Sequence, residues 1–300
     1  MTRPRLTTAV VFTLAVAAAC GGERRTSTTT AAGGTQQGRG KAVTIKGSDT
    51  MVILGQRFAE EYMRQNPGVV IQVNGGGSGT GIAALINGTV DLAQSSRPMK
   101  SGEKEDVEKR RNAKLNETPV ALDALAVFVH ESNPVKELSI DQLAQIYTGK
   151  ITNWSQIGGP NATIVLYGRE NSSGTYEYFK EHVLQKADFA PRTQTLAGTA
   201  AVINAVARDR NSIGYGGIAY AKGVRAIGVK EDAASPAVEP TEANVANGSY
   251  PISRYLYFYW IDSASPDLVS FVQWATSPDG QKLVENVGYF PLSEAPPPAS

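Results

Sequence analysis

Short apolar runs, glycine- and hydroxyl-rich turns and amphipathic segments follow one another in a repeated order along this chain. Residues 42–46, 69–73 and 90–93 are apolar runs typical of buried strands. Turns that begin at Gly47 and Gly75 each lead into a segment whose apolar residues recur every three or four positions, as on one face of a helix. This order of strand, turn and helix predicts an α/β fold built on mainly parallel sheets.

The same unit returns in the middle of the chain. The apolar run 164–167 predicts a strand, and Tyr176, Phe179 and Val183 are spaced as one buried helix face. Between them lies the segment RENSSGT, residues 169–175. Free N–H groups and the positive end of the helix dipole gather at such a turn, so the segment predicts an anion site. The alternative is an ordinary helix cap beside a surface arginine.

A long apolar run, residues 120–130, is interrupted only by Asp123. The run is longer than most single strands, which suits a segment that passes from one domain into another. Because a buried carboxylate is costly unless it is paired, we expect Asp123 to pair with Arg97 or Arg169. Such a pair could be purely structural, or the carboxylate could accept a hydrogen bond from a ligand.

The glycine-rich loop at residues 75–81 fits none of three familiar enzyme motifs. A P-loop needs Lys after its last glycine, where this chain has Ile82. The glycine spacing of a dinucleotide fingerprint and the Gly-x-Ser-x-Gly of a nucleophile elbow both fail at Thr80. What remains is a run of N–H groups with the Ser78 hydroxyl at a helix start, which favours anion binding without catalysis. A flexible surface loop is the alternative.

Composition excludes several classes of function. The chain has 300 residues, of which 41% are hydrophobic and 19% charged, and a formal net charge of +1, as expected of a globular protein with one or two domains. No basic tract is longer than residues 109–111, so we expect no nucleic-acid partner. With two histidines and one cysteine, no cluster has metal-ligand spacing, and we expect neither a metal nor a cofactor.

The N-terminus predicts export. Two arginines precede the apolar residues 6–19, a segment too short to span a bilayer comfortably, and small residues lead up to Cys20. The pattern resembles a bacterial lipobox, with Ala17 where leucine is usual. We therefore predict a signal peptide at 1–19, lipidation at Cys20 and a flexible tether over 20–40. The protein would lie in the periplasm or on the outer face of the cytoplasmic membrane.

Five motifs in combination resemble the phosphate-binding lipoproteins of bacterial phosphate ABC transporters, in the type II periplasmic-binding-protein superfamily. They are KGSDTM (46–51), GGGSGTGI (75–82), DLAQSSRP (91–98), YTGKITNW (147–154) and RENSSGT (169–175). The resemblance implies two α/β domains with the ligand in the cleft between them. Domain I would comprise residues 41–123 and 256–300, and domain II residues 124–255, joined near residues 121–127 and 253–257.

The resemblance also implies a set of ligand residues and a function. The implied phosphate-binding residues are Thr50, Met51, Ser78, Ser96, Arg169, Ser173, Gly174 and Thr175. The protein would be a monomer, not an enzyme, that captures inorganic phosphate by domain closure and delivers it to the permease subunits of the transporter. Alternatives are a receptor for sulfate or molybdate, a secreted phosphatase with Ser78 or Ser173 as nucleophile, and a surface lipoprotein that has lost transport.

One position departs from the family pattern. Relatives have an aspartate where this chain has Ser96, and that aspartate accepts the proton of hydrogen phosphate. A carboxylate acceptor welcomes an anion that carries a proton and repels sulfate, which has none to donate near neutral pH. Asp49 and Asp123 are the candidates to take over this role, with Arg97 as a possible ion-pair partner.

Overall fold

The computed structural model describes residues 42–292, so the predicted signal peptide, tether and lipidation site at Cys20 lie outside the described residues. The strands are β1 (Val43–Gly47), β2 (Ile71–Asn74), β3 (Leu92–Ser95), β4 (Leu115–Val129), β5 (Glu137–Ser139), β6 (Val165–Arg169), β7 (Gln194–Leu196), β8 (Ser212–Gly217), β9 (Arg225–Ala226), β10 (Gly228–Lys230) and β11 (Ser253–Ile261). The helices are α1 (Val52–Gln65), α2 (Ser78–Ile86), α3 (Ser101–Arg111), α4 (Ile140–Tyr147), α5 (Gly174–His182), α6 (Thr199–Val206), α7 (Glu242–Ala246), α8 (Pro266–Ala275) and α9 (Pro278–Val287). Between residues 42 and 292, no helix is both long and apolar enough to cross a membrane.

Two groups of parallel strands are joined by two long antiparallel strands. In the first group β1 lies between β2 and β3, and in the second β6 lies between β7 and β8; all four pairings are parallel. Strands β11 and β4 lie between the groups and give the order β2-β1-β3-β11-β4-β8-β6-β7, with β9 beside β4. The α/β prediction is confirmed, and the antiparallel centre makes the sheet mixed.

The long apolar run of the sequence is explained by β4. Its residues Leu115–Ala124 pair with β11, and its residues Leu125–Val129 pair with β8 of the second group. From Val120 onward every residue of the strand is buried. A strand covered on both faces reads as a continuous apolar run rather than an alternating one. Together β11 and β4 connect the two groups, because β11 pairs with β3 of the first group and β4 pairs with β8 of the second.

Each group of strands has its own apolar core. Helices α1, α8 and α9 cover the first group, where Phe58 and Phe271 both pack on Phe258 of β11. In the second core the rings of Phe179 and Tyr215 stack with centroids 4.1 Å apart. Side chains of this size supply most of the apolar area that stabilises a core.

The predicted strand–turn–helix units are confirmed, with helices that begin earlier than their apolar faces. Helix α5 begins at Gly174 because the hydroxyl of Ser173 caps it and accepts a hydrogen bond from the N–H of Tyr176 at 3.3 Å. Helix α2 begins at Ser78, after Gly77 with φ of +93°. A Cβ at Gly77 would lie 2.4 Å from the carbonyl oxygen of Ser172, so only glycine allows these two turns to meet.

Candidate functional site

Hydroxyl groups from four separate segments meet at one buried point. The Oγ1 atoms of Thr50 and Thr175 are 2.8 Å apart, Thr175 Oγ1 is 3.5 Å from Ser96 Oγ, and Ser96 Oγ is 3.3 Å from Ser78 Oγ. Each of these residues is at most 1% exposed. We call Thr50, Ser78, Ser96 and Thr175 the hydroxyl cluster. The sequence predicted all four as ligand residues.

The N-terminus of α5 lies against this cluster. A Cβ on Gly174, its first residue, would lie 2.4 Å from the hydroxyl oxygen of Ser78 and 2.9 Å from that of Ser96. The absence of a side chain at this position lets the helix end approach so closely. The first N–H groups of a helix lack partners within it and carry partial positive charge. Hydroxyl donors and a helix dipole thus converge, which is the arrangement of an anion site.

Arg169, the last residue of β6, is buried beside Asp49. Its Nη2 donates to Asp49 Oδ2 at 3.0 Å and to Glu170 Oε1 at 3.2 Å, and its Nη1 donates to Thr199 Oγ1 at 2.8 Å. The other Asp49 oxygen accepts the Gly76 N–H at 2.8 Å. These bonds fix the guanidinium in one orientation, and they include two acceptors that the sequence did not single out.

The N–H of Met51, an implied ligand group, is used locally. It donates to the carbonyl oxygen of Ser48 at 3.0 Å and closes the short 3₁₀ turn Asp49–Met51. The Met51 side chain is fully buried in the first core. In this structure Met51 therefore anchors the turn that presents the Thr50 hydroxyl.

The prediction that Asp123 pairs with Arg97 or Arg169 is wrong. Asp123 stands directly opposite Arg254 in the β4–β11 ladder, and its Oδ2 accepts from Arg254 Nε at 3.0 Å and Nη2 at 2.9 Å. Its Oδ1 accepts the N–H of Ile218 at 3.1 Å. Burial raises the pKa of Asp123, while the charge and hydrogen bonds of Arg254 act in the opposite direction. The pairing depends on a strand register that the sequence does not reveal.

Arg97 does not pair with Asp123 and belongs instead to a separate group of ion pairs. Its Nη1 is 2.8 Å from Glu103 Oε2 and its Nε is 2.5 Å from Glu177 Oε2, and Lys100 also pairs with Glu177. Burial opposes the charge on Arg97, but the hydrogen bond and charge of Glu103 and the charge of Glu177 raise its pKa. Glu177 is in the first turn of α5, so this group ties α5 to the segment after β3.

Sequence reasoning missed three residues that support the cluster. Arg254 Nη2 donates to Thr175 Oγ1 at 3.0 Å, the hydroxyl of Tyr289 donates to the Thr50 carbonyl at 2.6 Å, and that of Tyr220 donates to the Asp49 carbonyl at 2.8 Å. Arg254 carried a signal, because it is the one charged residue in the aromatic run 250–261. Nothing in the sequence around the two tyrosines marks them as residues of the site.

Comparison with known proteins places this geometry in a family. Residues 26–279 match the model of the PBP superfamily domain. The chain is 37% identical over 263 residues to the phosphate-binding protein PstS of Pseudomonas aeruginosa, covering 82% of this chain and 81% of that protein. It is 34% identical over 255 residues to the phosphate-binding protein PstS of Bacillus subtilis, covering 84% of this chain and 81% of that protein.

A solved structure agrees with these matches. It is the crystal structure of a putative phosphate ABC transporter substrate-binding protein from Clostridium perfringens with bound phosphate. It superposes with a TM-score of 0.78 at 32% identity, over 84% of this chain and all of that one (100%). The two-domain type II periplasmic-binding fold is thereby confirmed, and the chain belongs to the PstS family of phosphate-binding proteins.

Proposed function

We propose that this protein binds inorganic phosphate at the hydroxyl cluster and delivers it to the permease of an ABC transporter. One observation carries the proposal: buried hydroxyls from four segments converge on the N-terminus of α5, with Arg169 fixed nearby. An incoming phosphate would exchange hydroxyl–hydroxyl bonds for hydroxyl–oxyanion bonds. Each hydrogen bond to a charged oxygen contributes about 1.5–3 kcal/mol, and several are needed to offset the dehydration of phosphate.

We infer that capture involves closure of two domains, with residues 41–123 and 256–300 forming domain I and residues 124–255 forming domain II. Support comes from contacts that join the two parts: Thr50 with Thr175, and the N–H of Gly79 with the carbonyl of Ser172 at 2.9 Å. The Arg97–Glu177 ion pair is a third such contact. Opening would break these contacts while β4 and β11 act as the hinge, and the closed form would be recognised by the permease.

Asp49 and Asp123 remain our candidates for the carboxylate that distinguishes phosphate from sulfate, since Ser96 has no charge. Asp49 adjoins Thr50 and is bonded to Arg169. Asp123 reaches the cluster through Arg254, which bonds both Asp123 and Thr175. Each would be tested by an asparagine substitution, because an amide keeps the shape of the side chain but has no negative charge, so it accepts the proton of the anion less strongly and does not repel sulfate.

We infer that the protein is not an enzyme. A serine nucleophile needs a nearby base. The hydroxyl of Ser78 bonds Ser96, and that of Ser173 caps α5. Of the two histidines, His130 bonds Ser132 and His182 stacks on Tyr178 with centroids 3.9 Å apart.

We further propose that the protein is exported, anchored by lipid at Cys20, and acts as a monomer in the periplasm or on the outer face of the membrane. The support for this is the N-terminal sequence, in which the one cysteine of the chain follows an apolar segment and small residues. Radiolabelled lipid incorporation into the wild type, and its loss in Cys20→Ser, would test the anchor.

The test of the function is calorimetric titration of the purified, anion-stripped full-length protein with phosphate and then sulfate near neutral pH. We expect tight binding of one phosphate and no heat with sulfate. Equal binding of both anions would instead favour a general oxyanion receptor. Binding of neither would refute the solute-receptor proposal.

A further inference from the structure

Arg254 is a buried guanidinium whose hydrogen-bonding capacity is only partly used. It is 2% exposed; its Nε and Nη2 donate to Asp123, and Nη2 also donates to Thr175 Oγ1. Its Nη1 is buried and has no hydrogen-bond partner among residues 42–292. Unpartnered buried donors are rare and costly, so such a group in a native site calls for an acceptor.

The guanidinium is held in place from two sides. Asp123 accepts hydrogen bonds from its Nε and Nη2 along one edge. The ring of Tyr178 lies over the guanidinium, with Arg254 Cζ 5.4 Å from the ring centroid. Tyr178 is itself fixed, because its hydroxyl donates to the carbonyl of Ser253 at 2.6 Å. The side chain therefore has one orientation, in which it contacts the hydroxyl cluster through Thr175.

We propose that Arg254 is a second guanidinium ligand of the bound phosphate, with Nη1 donating to a phosphate oxygen. This rests on the proposed function. Asp123 neutralises the guanidinium while the site is empty, so a cation can be buried there without a ligand. When the anion enters, the unused N–H gains its acceptor and forms a charge-assisted hydrogen bond. Arg254 on β11 and Arg169 on β6 would thus both bind the phosphate through their guanidinium groups.

The competing role is structural. Arg254 could simply neutralise Asp123 and clamp β4 to β11, with no contact to the ligand. The two roles differ in one consequence. If the pair is only structural, replacing both partners by uncharged groups of similar shape leaves phosphate affinity intact, because neither charge is then left buried alone.

The experiment measures phosphate affinity by calorimetry for the full chain with three changes. These are Arg254→Lys, the double change Asp123→Asn with Arg254→Gln, and a control double change, Arg57→Gln with Glu60→Gln. The control removes an arginine–carboxylate pair at the surface of α1, where the side chains are 62% and 61% exposed. Near-ultraviolet circular dichroism and thermal unfolding without phosphate report whether each variant keeps the native packing.

We expect both Arg254 variants to raise the phosphate Kd at least tenfold while keeping the native circular dichroism, and the control to match the wild type. Wild-type affinity in the Arg254 variants would overturn the proposal. So would a loss of affinity accompanied by loss of native packing in Arg254→Lys, which retains the positive charge opposite Asp123. Because Asp123 is itself a candidate ligand carboxylate, Arg254→Lys decides alone if the double variant loses affinity or does not fold. Absence of phosphate binding by the wild type would refute the proposed function itself, which distinguishes the two failures.

Discussion

Gly174 offers a direct test of whether α5 closes on the hydroxyl cluster. Replacing it by alanine places a methyl carbon 2.4 Å from Ser78 Oγ, 2.9 Å from Ser78 Cβ and 2.9 Å from Ser96 Oγ. In the proposed division of the chain, Gly174 belongs to domain II and the two serines to domain I. The added methyl group would therefore obstruct the closed form and leave the open form free.

The size of the effect follows from the overlap. Overpacking by one methylene in a tight site costs about 1–3 kcal/mol. Since 1.4 kcal/mol is a factor of ten in an equilibrium constant, Gly174→Ala should raise the phosphate Kd by about 5- to 150-fold. The overall fold should not be weakened in the open form, because alanine is favoured over glycine in a helix by about 0.8–1.0 kcal/mol.

Gly102→Ala is the matched control. Gly102 also lies in the first turn of a helix, α3, but its added Cβ would have nothing within 4 Å. The Gly102→Ala variant should gain the same stabilisation from helix propensity, and it should bind phosphate with the affinity of the wild type. Calorimetric titration gives Kd, and thermal unfolding without phosphate gives stability. If Gly174→Ala binds phosphate as tightly as Gly102→Ala, α5 does not pack on the two serines in the bound state and the reasoning fails.

Three further predictions follow from buried charges and hydroxyls. Asp123→Ala leaves Arg254 buried without its counter-charge, so urea unfolding should show a loss of about 3–5 kcal/mol, and a loss below 1 kcal/mol would contradict the pairing. Glu177→Gln removes the negative charge that pairs with Arg97 and Lys100 across the proposed cleft, so the phosphate Kd should rise a few-fold at low salt. The difference should shrink in 1 M salt, and a salt-independent difference would argue against this cause. Burial raises the pKa of Tyr178 and of Tyr220 to about 12, against about 10 when unfolded. Their contribution to stability should be complete below pH 10 and fall as pH rises towards 12, which unfolding temperatures with absorbance at 295 nm can follow; a flat profile over that range would refute it.

The local parts of the site could be predicted from sequence because each is encoded within a few residues. A strand that ends in glycine and hydroxyl residues before an amphipathic segment specifies its own turn, and Thr50, Ser78 and Thr175 are all presented in this way. Parallel strands then bring their carboxyl ends to one edge of a sheet, so such turns meet. The sequence alone was therefore enough to predict that the residues of the hydroxyl cluster converge.

The partner of Asp123 could not be predicted from the sequence. Arg254 is 131 positions away along the chain, and the two meet only because β4 and β11 pair in one particular register. Around this pair both strands are almost entirely buried on both faces, so there the hydrophobic pattern does not distinguish one register from the next. The choice of Arg97 or Arg169 as partner rested on proximity of motifs, whereas sheet pairing decided the outcome.

The charges around the cluster suggest how phosphate can be preferred although position 96 is a serine. Among the described residues, Arg169 is paired with Asp49 and Glu170, and Arg254 is paired with Asp123. These two guanidinium groups thus bond three carboxylates, so this part of the site has one carboxylate more than it has guanidinium groups. A fully ionised anion can accept hydrogen bonds from the hydroxyl, helix N–H and guanidinium donors, but it has no proton to offer these carboxylates. An anion that still carries a proton can in addition donate it to a carboxylate oxygen, which sulfate near neutral pH cannot do. We therefore expect the additional carboxylate to supply the discrimination that the family resemblance assigns to an aspartate at the position of Ser96.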